Sequence, residues 1–300
     1  MERFFACGAS NVSSDITFTD YPTAADTAKR GRLQIIAVAN QKGGVGKTTT
    51  AINLATGLSA TGKQVCVLDL DPQGNASTGL GINKQSRIVT SYDVLMGQAS
   101  AKGAMVATQI PGLTVIPASV DLSGSEIELV DAEKREYMLR DVLRGKLDDI
   151  DYVLIDCPPG LGLLSLNALV AADSVLVPLQ CEFLALEGLS HLLKTIERIK
   201  HALNPELTLM GIVLTMFDQR NILSKSVASD VRAYFGDQVY DTIIPRNVRV
   251  SEAPSHGLPV LLYDHRSTGA QAYIHLAREI LNRERGSVSR QEQKTMKALG

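Results

Sequence analysis

A single doubly wound α/β domain with a mostly parallel sheet is the fold this sequence predicts, and three observations carry the prediction. Short apolar runs recur from residue 33 onward, several of them without a polar face, as befits strands covered on both sides. Each run is followed by a longer stretch with helical spacing. No Pro/Gly/Ser-rich linker and no internal repeat interrupts this alternation up to residue 285.

Strands are expected at 33–39, 64–70, 113–117, 152–155, 174–179, 210–216 and 242–244. Helices are expected between them at 48–59, 126–147, 163–171, 186–203 and 224–235. A last helix at 270–285 sets Tyr273, Ile274, Ala277, Ile280 and Leu281 on one face. The domain therefore spans 32–285. Residues 1–31 are rich in Ser, Thr, Asp and Ala and lack an apolar period, so they read as a flexible N-terminal arm. Residues 286–300 read as a polar C-terminal tail.

Composition narrows the function classes. With 45% hydrophobic and 21% charged residues the chain has the balance of a globular protein with a sizeable core. The net charge of -2 supplies no global attraction for nucleic acid, so any such binding needs a local basic patch. Cys7, Cys66, Cys157 and Cys181 lie far apart with no CxxC pair, which points to packed thiols in a reducing compartment rather than a disulfide or zinc framework. The charge-free stretches 103–120 and 157–172 are broken by Pro, Gly and Gln or Asn, so neither reads as a membrane span. A cytoplasmic protein is the expectation.

The sharpest signal is Lys42-Gly43-Gly44-Val45-Gly46-Lys47-Thr48-Thr49, placed where the first strand ends and the first helix begins. A helix start presents unpaired N–H groups and a partial positive charge, which together attract phosphate. Gly43, Gly44 and Gly46 are expected to take positive φ and let the backbone wrap a β-phosphate. Lys47 would set its charge on the β/γ oxygens, and the Thr48 hydroxyl could ligate Mg²⁺. One departure from the usual G-x-x-x-x-G-K-[ST] pattern is Gln41 in place of glycine, accompanied by a second lysine, Lys42, at the loop entrance.

Two acids complete the set. A buried strand ends in Asp69-Leu70-Asp71, whose period of two sends both carboxylates the same way. Asp71 could orient an attacking water with help from Gln73; a helix N-cap or a solvated turn is the alternative for either acid. A second apolar strand ends at Asp156, placed to hold Mg²⁺ opposite Thr48. Its neighbour Cys157 reads as a packed thiol.

With these residues assembled, the chain resembles the ParA/Soj-type chromosome-partitioning ATPases, the deviant-Walker-A branch of P-loop NTPases. The likeness runs from about residue 33 to 285 and includes NQKGGVGKTT at 40–49, DLDPQGN at 69–75 and DCPP at 156–159. It continues in PLQCEFLALEG at 178–188, LTMFD at 214–218 and IPRNVRVSEAPSHG at 244–257. The resemblance implies ATP and Mg²⁺ as ligands. It makes Lys42 a signature lysine that reaches a partner subunit's phosphates in an ATP-dependent homodimer. Lys47 and Thr48 would serve the same subunit's nucleotide, Asp71 hydrolysis, and Asp156 the metal. It places Met216, Asp218, Pro245 and Asn247 around the adenine, and gives Arg220 and Arg249 to non-specific duplex DNA of the nucleoid. A ParB-type centromere-binding protein would stimulate a slow intrinsic turnover. Gly160 departs from the serine of many relatives, and the arm is longer than theirs.

From the residues alone, Arg220, Lys225, Arg232, Arg246 and Arg249, with Lys194, Arg198 and Lys200, form a loose basic grouping suited to phosphate contacts, with solvated helix faces as the alternative. Arg246 has a third option, the nucleotide pocket. No helix-turn-helix or zinc-finger spacing supports base readout. A MinD-like membrane-associated ATPase that positions the division site is the alternative function. It needs an amphipathic basic terminal helix, and residues 287–300 carry too few apolar residues in register.

Overall fold

The computed structural model describes residues 33–298, with side chains to Gly286. The expected arm at 1–31 lies outside the described residues. The chain opens with β1 (Gln34–Val38), α1 (Lys47–Ser59) and β2 (Val65–Asp69), followed by the short helices α2 (Asn75–Gly79), α3 (Ser91–Leu95) and α4 (Ala101–Ala104). Then come β3 (Val106–Ala107), β4 (Leu113–Ile116), α5 (Leu122–Glu128), α6 (Met138–Leu143), β5 (Tyr152–Asp156) and α7 (Leu163–Ala171). The second half contributes β6 (Ser174–Gln180), α8 (Ala185–Ala202), β7 (Thr208–Phe217), α9 (Ile222–Phe235) and β8 (Val239–Pro245). It ends with α10 (Val248–Glu252), α11 (Val260–Tyr263) and α12 (Thr268–Ala298).

The eight strands form one sheet in the order β3-β4-β2-β5-β1-β6-β7-β8, parallel throughout except for β3, which pairs antiparallel with β4. Strand residues divide strictly between two cores because successive side chains point to opposite faces. Ile35, Ala37, Cys66 and Leu68 join the core beneath α5 to α9, while Ile36, Val65 and Val67 join the one beneath α1, α11 and α12. This is why the central strands carry no polar face. Burying one Leu of these layers, such as Leu54 or Leu192, contributes about 1.5–3 kcal/mol. The topology sends the chain outward from β1 in both directions, so β1 sits at the switch point, and the crevice at its carboxyl end is where such sheets bind ligands.

Three expectations are corrected. The helix expected at 126–147 is two short helices, α5 and α6. Lys134 in the break adopts a left-handed φ of 55°, and Asn167 of α7 donates to the Arg135 carbonyl while accepting the Leu139 N–H. A side-chain amide from another helix thus takes backbone groups that a continuous helix would have paired. The strand expected at 242–244 is longer, and the residues from 286 continue α12 to Ala298 rather than forming a tail.

Candidate active site

The loop after β1 owes its shape to neighbours on two strands and in the loop after β5. Asn40 donates its amide to the Pro178 carbonyl and accepts the Lys42 N–H at 3.0 Å. The Thr215 hydroxyl, at the end of β7, donates to the Val45 carbonyl at 2.8 Å. The Gly160 N–H reaches the Gln41 carbonyl at 3.2 Å. Gly44 and Gly46 have φ of 74° and 90°, a region costly for any residue with a Cβ. Gly43 does not, contrary to expectation; a Cβ there would meet nothing within 4 Å, so its freedom faces only the open cavity. Gln41 is likewise absent from the left-handed residues, so the loop tolerates a side chain at this position.

Helix α1 starts from Gly46 with no side-chain cap and no acid in its first turn, which leaves its N–H groups for a ligand. They open into a cavity of about 420 Å³ lined by Gly43, Gly44, Gly46, Lys47, Thr48, Thr49, Asp71, Gln73, Asn75 and Pro159. Its other wall is Thr215, Met216, Ile244, Pro245, Arg246, Asn247, Val250, Ser251 and Tyr273. Met216 holds a φ of 47°, the kind of strained backbone found where a ligand wall must be placed. Asn247 uses its carboxamide structurally, accepting the Arg249 and Val250 N–H groups and donating to Thr268.

Lys47 is buried and donates to the Lys42 carbonyl at 3.0 Å. Burial pushes its pKa down, and the charges of Asp156, Cys157 and Asp71 oppose that shift. Asp156 is fully buried, and neither of its carboxylate oxygens receives a hydrogen bond. Burial, then the nearby Asp69, pushes its carboxyl well above the usual range; the Thr48 hydroxyl and Lys47 pull the other way. Thr48 stands near it without completing a hydrogen bond. A desolvated carboxylate short of donors beside a hydroxyl is a hard-oxygen set that suits Mg²⁺. Asp69 also rises, to about 6, chiefly through burial, but its Oδ2 accepts the Ser77 N–H and hydroxyl at 2.7 and 2.6 Å and its Oδ1 the Asp71 N–H at 3.3 Å. It therefore acts on structure, and only Asp71 of the pair reaches the cavity.

The structure separates the remaining sequence candidates. Val45 is buried behind the loop and does not line the cavity. Asp218 does not line it either: its carboxylate forms a two-pronged pair with Arg220 at 3.0 Å and is held down to about 2. Arg249 is paired with Glu252 at 3.0 Å and Asp264 at 3.4 Å. Lys42 points away from the cavity into an ion pair with Glu182. Of the loose basic grouping, Arg246 lines the cavity and Arg232 donates to the carbonyls of Tyr240 and Asp241. Thr215, Val250, Ser251 and Tyr273 were not legible as site residues: the first three lie in the motif blocks 214–218 and 244–257, whose spacing does not show which side chains face inward, and Tyr273 sits on the apolar face of a helix.

Fold and loop together define a P-loop ATPase, and the AAA domain family matches residues 33–209, more than half of the chain. Within that class the chain belongs to the ParA/Soj-type ATPases. It is 62% identical over 255 residues to the chromosome partitioning protein ParA of Caulobacter vibrioides, covering 84% of this chain and 96% of the relative. The sporulation initiation inhibitor protein Soj of Bacillus subtilis is 52% identical over 247 residues, covering 82% and 98%. Among solved structures, cobyrinic acid a,c-diamide synthase from Mycobacterium smegmatis with bound ATP analog and magnesium superposes with a TM-score of 0.75 at 38% identity, covering 85% of this chain and 97% of that one. The cell division ATPase MinD of Pyrococcus furiosus gives 0.69 at 30% identity, covering 83% and 98%.

Proposed function

We propose that this chain is an ATP-driven switch that partitions chromosome or plasmid DNA, alternating between a free subunit and an ATP-bound homodimer on the nucleoid. The observation that carries the reading is the contrast between the loop's two lysines. Lys47 is buried inside the cavity, while Lys42 at the entrance is exposed and turned outward. A cation on the rim is placed to serve a triphosphate held by another copy.

The chain's own residues divide the chemistry. The α1 N–H groups and the loop backbone cradle the phosphates, and Lys47 holds a positive charge against the β/γ oxygens. Thr48 and Asp156 would hold Mg²⁺, which when bound neutralises charge on the phosphate oxygens. Asp71, fixed by the Gln73 N–H on its Oδ1 at 2.9 Å, accepts a proton from, or orients, the attacking water. Met216, Pro245 and Asn247 form the wall against the base. Lys42 of the second subunit completes the charge around the γ-phosphate, so turnover is slow until a ParB-type partner orders the dimer.

Arg220 and Arg249 sit outside the cavity, two residues or so from Asp218 and Asn247, and would meet DNA phosphates once released from their carboxylates. Phosphate contacts of this kind are sequence-independent and salt-sensitive. The test is binding to non-specific duplex DNA across a salt series, with ATP, with ADP and without nucleotide, alongside light scattering. ATP-dependent dimers that bind DNA with a negative salt slope support the reading. A chain that stays monomeric and DNA-free when saturated with a non-hydrolysable ATP analogue and Mg²⁺ sinks it.

A further inference from the structure

We propose that Arg87 is a positioning residue for ATP hydrolysis, its guanidinium fixing from behind the turn that presents Asp71 to the cavity. The proposal rests on the reading of Asp71 given above and extends it to a side chain that does not line the site. Arg87 belongs to the connection between α2 and α3, where its neighbours Ser86 and Ile88 are exposed. From this strap it reaches inward to three separate pieces of backbone. Nε and Nη2 donate to the Ile82 carbonyl at 3.3 and 2.9 Å, Nη1 to the Ala118 carbonyl at 3.1 Å, and Nη2 to the Gly74 carbonyl at 3.2 Å. Nη2 also reaches the Thr78 hydroxyl at 2.8 Å, which itself donates to the Gly74 carbonyl at 3.0 Å.

Gly74 is the far end of the Asp71 turn. Its N–H donates to the Asp71 carbonyl at 2.9 Å, and the adjacent Gln73 N–H donates to Asp71 Oδ1 at 2.9 Å. Holding the Gly74 carbonyl therefore anchors the end of the turn, two peptides on from the N–H that aims the carboxylate. A second route meets the first at Ala118, whose N–H donates to the Ser77 hydroxyl at 3.0 Å. Ser77 donates to Asp69, and Asp69 accepts the Asp71 N–H at 3.3 Å. Arg87 thus closes a ring of hydrogen bonds around the turn, and among the described residues no other side chain hydrogen-bonds both Gly74 and Ala118.

The chemistry of the partners says what the residue is for. Every group that Arg87 hydrogen-bonds is a neutral carbonyl or hydroxyl, so it supplies five hydrogen bonds from one rigid plane, while the charge of Asp69 helps to keep the half-buried guanidinium protonated. A lysine ammonium, a point charge on a flexible stem, cannot span the same three segments. The turn is built to admit the guanidinium: Gly74 has a φ of 66°, and a Cβ there would overlap Arg87 Nη1. Acid–base and water-positioning groups lose rate steeply with misplacement, about 100-fold for 1 Å, whereas phosphate binding by the loop does not depend on this turn.

The test compares full-length Arg87→Ala, Arg87→Lys and Thr78→Val with the parent. It measures kcat for ATP hydrolysis, KM, affinity for a non-hydrolysable ATP analogue, and the melting temperature. The expected result is a kcat lower by roughly 10-fold or more in both Arg87 variants, with analogue affinity within about twofold. Guanidinium ion added to Arg87→Ala should recover part of the lost rate, and Thr78→Val should show a smaller loss of the same kind. A folded Arg87→Ala with parental kcat overturns the proposal, as does Arg87→Lys with full activity, or a loss of affinity matching the loss of kcat. If Arg87→Ala does not fold, the lysine and valine variants decide. Asp71→Asn separates the two readings. Parental hydrolysis in Asp71→Asn removes the assignment of Asp71 itself. An inactive Asp71→Asn beside active Arg87 variants removes only the role of Arg87.

Discussion

Replacing Asp156 by asparagine should make the nucleotide-free chain more stable while weakening its hold on Mg²⁺ and nucleotide. The carboxylate is fully buried, and neither oxygen accepts a hydrogen bond. Its pKa is pushed well up even though Lys47 and Thr48 favour the charge, so the environment as a whole prefers the neutral form. Asparagine copies the shape of that neutral form. The carboxamide is still a buried polar group, but it removes the charge, and the penalty for leaving a charged group buried and short of donors is about 2 kcal/mol or somewhat more. For a domain of this size that corresponds to about 4–8 °C in melting temperature. The linkage sign agrees. A carboxyl whose folded pKa is raised contributes stability below its unfolded pKa of about 3.9 and loses it as pH rises through the folded value. Asp69, raised to about 6, adds a loss of the same sign between about pH 4 and 6. Thermal unfolding in EDTA should therefore show the parent weakening as pH rises from 4 to 7, with Asp156→Asn weakening less and melting higher at pH 7. With Mg²⁺ and a non-hydrolysable nucleotide at about 100 times the parental Kd, the parent gains about 2.7 kcal/mol and the order reverses. An Asp156→Asn chain that melts below the parent in EDTA would refute the claim that the site is strained by an uncompensated charge.

Three further outcomes are expected. Lys47→Ala should lower nucleotide affinity by about 30- to 150-fold, the loss of one charge-assisted contact of about 2–3 kcal/mol, read by calorimetry. Lys42→Ala should bind nucleotide within about threefold of the parent, since Lys42 lies outside the cavity and its lost partner is an exposed ion pair worth at most about 1 kcal/mol; light scattering should show no ATP-dependent dimer. Arg220→Glu should weaken DNA binding and flatten its salt slope, whereas Asp218→Asn, which frees Arg220 without moving it far, should strengthen binding at low salt. Because Asp218 is held down to about 2, that pair stays ionised between pH 6 and 8, so these effects should be independent of pH in that range.

Much of the site could be read from the chain because it is local. The loop at 42–49 is contiguous, and the uncapped N–H groups that open into the cavity belong to the same helix start that the sequence places there. Asp71 and Asp156 were legible because parallel strands bring their carboxyl ends to one edge of the sheet; the registers pair Asp69 with Asp156 and Val38 with Asp156. The opposite wall was legible only in part. Met216, Pro245 and Asn247 carry family motifs and do line the cavity, whereas Asp218, from the same motif as Met216, turns to Arg220. Nothing in the spacing of 216 and 218 distinguishes inward from outward; the left-handed φ at Met216 redirects the chain after it.

The alternation of apolar runs and helical stretches, the glycine-rich loop and the strand-end acids are properties of segments shorter than about 20 residues, and for these local periodicity and backbone preference suffice. They determined the fold class, the P-loop and the two strand-end acids that stand beside it. The tertiary structure decided which carboxylate each exposed cation pairs with, that Asn167 breaks the helix expected at 126–147, and that Tyr273 and Thr215 close the cavity. It also joined Arg87 to a turn 13 positions earlier and to Ala118, 31 positions later. Such pairings depend on which chain segments the two cores press together, and a side chain's own neighbours in sequence carry no record of that.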